Sequence, residues 1–107
     1  MTNFISTGST YWLSDEKIQI LEKNATNGDK NSAFKLYQYH MFVSLDQDLE
    51  FKWLEIAAKN GHPIAQSNLA DLFFTQGNKE KAIFWAKKAY RNGAKLPDEL
   101  KILININ

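Results

Sequence analysis

Apolar residues recur along this chain at helical spacing, in short runs closed by glycine. Within 63–76, Ala65, Leu69, Leu72 and Phe73 fall on one stripe. Ala33, Tyr37, His40 and Met41 take the matching places in 31–44. A facing stripe comes from Trp53, Ile56 and Ala57, and again from Trp85 and Ala89. Gly28, Gly61, Gly77 and Gly93 each follow such a run, where a left-handed residue ends a helix. Starts are marked by Ser14 with Asp15 and Glu16, by Asn31, Asp46 and Asn78, and by Pro63 and Pro97 in first-turn positions. Six helices are predicted, near 14–27, 31–44, 47–60, 63–76, 78–92 and 97–104.

The pattern repeats. LEKNATNG (21–28), LEIAAKNG (54–61) and AKKAYRNG (86–93) align, with Asn-Gly pairs 33 and then 32 residues apart. An offset of 32 carries Trp53 to Trp85, Ala57 to Ala89, Ala33 to Ala65 and Phe42 to Phe74. Alternation of large and small residues suits close helix packing, with alanines receiving and tryptophans filling. The first helix (Ile18, Leu21, Ala25) matches only the second half of a unit, and the last (Leu100, Leu103, Ile104) only the first. Both ends are then capping half-repeats. The expected fold is all-α: a short right-handed α-solenoid of about six antiparallel helices, or two and a half helix-turn-helix repeats, over residues 14–107. Residues 1–13 form an amino-terminal arm, rich in Ser, Thr, Gly and Asn but carrying Phe4, Tyr11 and Trp12. Its first few residues are expected to be mobile, with Trp12 and Leu13 packed on the first helix.

At A-x-x-x-L-A-x-L-F (65–73), D-x-x-x-x-W-x-x-x-A-A-x-x-G (48–61) and A-x-x-W-x-x-x-A-x-x-x-G (82–93), the chain resembles the Sel-one-like repeats, a subfamily of the tetratricopeptide type. The resemblance covers about residues 18–104. It departs between the paired helices, where a glycine-rich segment is replaced by FVSLDQD (42–48) and shortened to FTQGN (74–78). The resemblance implies protein–protein scaffolding without catalysis, and it brings no fixed binding residues.

Composition narrows the function further. The 107 residues suffice for one domain. The absence of cysteine excludes disulfides, thiolate zinc sites and a cysteine nucleophile. The start does not read as a signal peptide, and no run reaches membrane-span length, so a cytoplasmic location is expected. Net charge is +1, but residues 1–55 hold eight acids and five bases while residues 56–107 hold four and eight. The carboxy-terminal bases Lys79, Lys81, Lys87, Lys88, Arg91 and Lys95 spread over a helix as a solvated back, which argues against nucleic-acid binding.

Candidate chemistry is sparse. His40 lies on the inner stripe, in the slot that Leu72 fills in the next unit, and reads as a structural histidine; His62, before Pro63, reads as a turn residue. Asp46, Asp48 and Glu50 have the spacing of a calcium loop, but Phe51 stands where its glycine is required and Ala57 where its bidentate Glu is required. Those acids fit a helix start better. No catalytic residue, cofactor or metal is assigned.

What remains is a surface for one protein partner. Opposite the core stripe, the wheel places Lys35, Tyr39 and Phe42 in one unit and Ser67, Asp71 and Phe74 in the next. The two phenylalanines are expected to lean toward the core. Lys35, Gln38, Tyr39, Ser67 and Asp71, with the acidic Asp46, Asp48 and Glu50, form the candidate partner surface. Proteins of this size that resemble Sel-one-like repeats include immunity proteins, which neutralise a cognate bacterial toxin by tight binding. The expected function is therefore a non-catalytic immunity-type inhibitor, monomeric when free, with a nuclease as one candidate toxin. The alternative is an adaptor that holds a peptide or helix in its groove.

Overall fold

The structure, a computed structural model, describes residues 10–106. Phe4 and the rest of 1–9, where mobility was expected, lie outside the described residues. Six helices follow the arm among the described residues: α1 (Asp15–Thr26), α2 (Lys30–Phe42), α3 (Gln47–Lys59), α4 (Pro63–Thr75), α5 (Lys79–Arg91) and α6 (Asp98–Leu103). Each packs on the next in the chain. The first four connections span only three or four residues, which turns successive helices back antiparallel. The result is an all-α solenoid, 47 × 38 × 23 Å. Its thin dimension is about two helix diameters of ~10–12 Å, so the stack is two helices deep.

The helix ends are where the sequence placed them. Gly28, Gly61, Gly77 and Gly93 all have φ between 81° and 102°. At each, the glycine amide donates back three residues and the next amide donates back five; Gly77 to the Phe74 carbonyl and Asn78 to that of Phe73 are one such pair. Orphan carbonyls are thereby satisfied. Ser14, Asp46 and Asn78 accept from backbone amides as side-chain caps, as expected. Two starts differ. The cap of α2 is Asp29, not Asn31: its carboxylate accepts from the Asn31 amide and the Ser32 hydroxyl. Pro97 is the cap residue of α6 rather than part of its first turn.

Packing corrects the repeat register. Burial in α2 falls on Ser32, Ala33, Leu36, Tyr37 and His40, and in α4 on Ala65, Gln66, Leu69, Ala70 and Phe73 among others. These sets superpose at an offset of 33, whereas α3 maps onto α5 at 32, Trp53 onto Trp85. The connection 43–46 is one residue longer than 76–78, and that residue absorbs the difference. His40 therefore shares its slot with Phe73, not Leu72. The central position of each first helix is a leucine: Leu36, Leu69 and Leu100 are the largest fully buried side chains. Burying each is worth roughly 1.5–3 kcal/mol. Ala57, Ala65, Ala82, Ala86 and Ala89 are fully buried beside Trp53 and Trp85, so small residues do let the helices approach.

A polar link crosses this core. Gln66, 2% exposed, donates to the Ala58 carbonyl at the end of α3 and accepts from Asn92, which caps α5. The bonds are 3.0 and 2.9 Å long, so both ends of the amide are satisfied.

At the amino end, Tyr11 stacks on Phe42 with ring centroids 4.7 Å apart. Leu13 packs against the core, as expected. Trp12 does not: it is 62% exposed, because the short arm can turn only alternate residues toward α1 and α2. Ile20 and Ile102 are also largely exposed, so the terminal helices α1 and α6 cover the core without being polar on their outer sides.

Candidate functional site

The candidate surface divides into three places. Helix α2 carries Lys35, exposed, with Gln38 and Tyr39 half-buried one turn further on. Tyr39 meets the His40 ring edge-on at 5.1 Å. Phe42 and Phe74 are both half-buried, but only Phe74 packs against the core cluster as expected; Phe42 is covered by the Tyr11 ring of the arm. On α4, Asp71 is exposed, but Ser67 is 7% exposed and lies at the floor of a groove rather than on the face that bears Asp71. The register shift explains this: Ser67 matches Phe34, and Asp71 matches Gln38 rather than Tyr39.

The third place is the acidic turn between α2 and α3. Asp46 uses one carboxylate oxygen to accept from the Leu49 amide at 3.1 Å, so it is occupied as a cap rather than as a metal ligand. Among the described residues no group of three or more His, Cys, Asp or Glu could hold a metal ion. Asp48 is exposed, while Glu50 turns into a cleft of about 340 Å³ with Gln47, Phe51, Leu54, Leu72 and Gln76. Among the described residues, none of Asp46, Asp48, Glu50 or Asp71 is in an ion pair. The turn thus presents unneutralised negative charge at one end of the α2 stripe.

Leu45 sits at its tip, 72% exposed and with φ at +56°. It directly precedes the α3 cap as Gly77 precedes the α5 cap. An apolar side chain is held there in a left-handed conformation that the stops of α1, α3, α4 and α5 give to glycine and that of α6 to Asn105.

His40 is buried, and its Nδ1 shares a 2.7 Å hydrogen bond with the Ser44 hydroxyl. A hydroxyl beside an imidazole is the first contact of a nucleophile–base pair. The second contact is missing: Nε2 has no partner, so nothing orients the ring as a base. Burial holds the imidazole below its ordinary pKa, against the raising influence of Asp46 and Glu22. The pair closes the end of α2, with the ring buried on the inner stripe where the sequence placed it.

His62 does more than its place before Pro63 suggested. Its Nδ1 accepts from the Ala65 amide and caps α4, and its ring lies on Phe34, centroids 4.0 Å apart and planes 13° from parallel. Burial, with Lys30 nearby, lowers its pKa. Nothing in the sequence paired these two rings, which come from different units.

The basic residues of α5 and beyond, Lys79, Lys81, Lys87, Lys88, Arg91 and Lys95, are all exposed. Lys81 and Lys88 lie over the rings of Phe73 and Phe84, each 5.2 Å from the centroid. No helix among the described residues is long and apolar enough to cross a membrane.

No known family model matches the chain. No solved structure matches it. It is similar to YibG of Escherichia coli (strain K12), an uncharacterised protein, at 36% identity in an alignment 95 positions long that covers 82% of this chain. The chain spans 62% of that relative's length.

Proposed function

We propose that this chain is a non-catalytic protein-binding module, and that it acts as an immunity-type inhibitor of a bacterial toxin. The observation that carries the reading is the unneutralised acidic turn, Asp46 and Asp48, at the end of the α2 stripe that bears Lys35, Gln38 and Tyr39. A half-buried tyrosine at the end of α2, followed by a turn whose carboxylates are in no ion pair, combines an apolar anchor with charge that steers a basic partner. A basic toxin domain, such as a nuclease, is the partner chemistry that fits. The free chain is monomeric in this reading and meets one partner.

The experiment is growth protection. Where a toxin-like reading frame lies directly upstream of its own, the chain is co-expressed with that frame's product, and growth is expected to be restored. Tyr39→Ala combined with Asp48→Lys weakens protection while the circular dichroism spectrum stays helical. Raised salt slows association of the purified pair. Unaltered protection by the double variant overturns the acidic-turn assignment. Turnover of a substrate, or no protection by the wild type, overturns the immunity reading.

A further inference from the structure

The two repeats solve the same packing problem differently. Where the turn after α3 passes the start of α2, the Phe34 ring lies flat on His62 and occupies the space between them. Where the turn after α5 passes the start of α4, the matching residues are Ser67 and Ala94, at the offsets of 33 and 32 that the packing defines. Two rings have become a hydroxymethyl and a methyl. At that position the surface opens into a groove of about 670 Å³, lined by Ile64, Ser67, Asn68, Ala94, Leu96 and Pro97 among others.

Side chains of such size leave the groove floor apolar, and Ile64 is 54% exposed on its wall. Its lining carries one charged side chain, and the exposed Asp98 and Glu99 follow just beyond Pro97. Lys95 lines it, His62 closes one side, and no carboxylate is among the lining residues. The half of the chain that holds it carries eight bases and four acids. The structure assigns this groove as a socket for an aromatic side chain of a partner protein, presented on a segment with acidic residues beside the ring. The aromatic preference comes from the first repeat, whose own phenylalanine fills the corresponding place; the acidic flank complements Lys95. The inference is independent of the immunity reading, which uses the opposite, acidic half.

The test uses the full chain and three capped hexapeptides as probes: one Phe flanked by Glu on both sides, the same with Ala for Phe, and the same Phe flanked by Lys. Binding is followed by amide shifts in NMR titrations. The Glu-flanked Phe peptide is expected to shift Ile64, Ser67, Ala94 and Leu96. The Ala peptide is expected to bind at least about tenfold more weakly, as loss of a buried anchor requires, and the Lys-flanked one more weakly than the Glu-flanked one. Ser67→Phe restores the plug of the first repeat and abolishes binding. Lys95→Glu, at an exposed position, leaves the fold unchanged and reverses the preference between Glu and Lys flanks. Equal binding of the Phe and Ala peptides overturns the proposal, as do shifts confined to other surfaces. Groove shifts that depend on protein concentration alone also overturn it, since the occupant is then a second copy of the chain.

Discussion

Replacing Leu45 with glycine is expected to stabilise the protein, although it deletes an apolar side chain. With φ at +56°, Leu45 holds a conformation that costs an L-residue roughly 1–2 kcal/mol. Its side chain is 72% exposed, so little packing is lost with it. Glycine releases the strain but adds freedom to the unfolded chain, an opposing effect of about 0.5–1 kcal/mol. The net gain is roughly 0–1.5 kcal/mol, centred near 0.75, which at the centre raises Tm by about 3–6 °C for a domain of this size. Gly77 provides the reciprocal experiment. A Cβ built there meets no atom within 4 Å, so Gly77→Ala measures the backbone cost with no clash added. That substitution is expected to destabilise by about 1 kcal/mol. Urea unfolding followed by tryptophan fluorescence reads both, with m-values unchanged. A destabilised Leu45→Gly variant beside a neutral Gly77→Ala variant would refute the reasoning, because the two turns would then not share the strain inferred from their backbones.

Trp53→Ala and Trp85→Ala should each cost about 3–5 kcal/mol in the same assay, since both rings are buried against fully buried alanines; a loss below 1 kcal/mol at both removes them from the core. His40 is held neutral by burial, its folded pKa lying below the unfolded value. Its contribution is therefore complete above that ordinary value of about 6.5 and is lost as pH falls below it, which denaturation at pH 7.5 and 5.0 will show as reduced stability in acid. His40→Phe, which copies Phe73 in the next unit, should leave stability at pH 7.5 within about 1 kcal/mol, since it removes a buried nitrogen that has no partner along with one hydrogen bond. It should also reduce the acid-dependent loss, leaving the share that His62 contributes.

Local chemistry made most of this fold legible. A glycine after an apolar run must end a helix, and Ser14, Asp46 and Asn78 each offered the oxygen that an exposed amide requires. The choice between Asp29 and Asn31 was not legible, because both are competent caps two residues apart. The register was hidden for a different reason. Trp53/Trp85 and Ala57/Ala89 sit in the second helix of each unit and fix an offset of 32 there, while the extra residue lies in the preceding connection and shifts only the first helices. That error put Ser67 beside Lys35 on an exposed face, and it concealed Leu36 as the counterpart of Leu69. The wheel placed Lys35 in solvent and Tyr39 at the margin of the core because their environment follows from one helix and its core stripe. The Phe34–His62 stack and the groove that replaces it depend on contacts 28 residues apart, which no single helix encodes.

Gln66 has a consequence for how the molecule unfolds. In stacked arrays each unit senses only its neighbours, and a weak seam lets one unit melt before the other. The Gln66 amide bridges the end of α3 to the cap of α5, so fraying either of those helix ends strands a buried polar group in the middle of the stack. Loss of one half then carries a penalty felt in the other. With the Asn68–Tyr37 bond, this side chain ties the melting of the two units together, and one cooperative transition rather than sequential unzipping is the expected result.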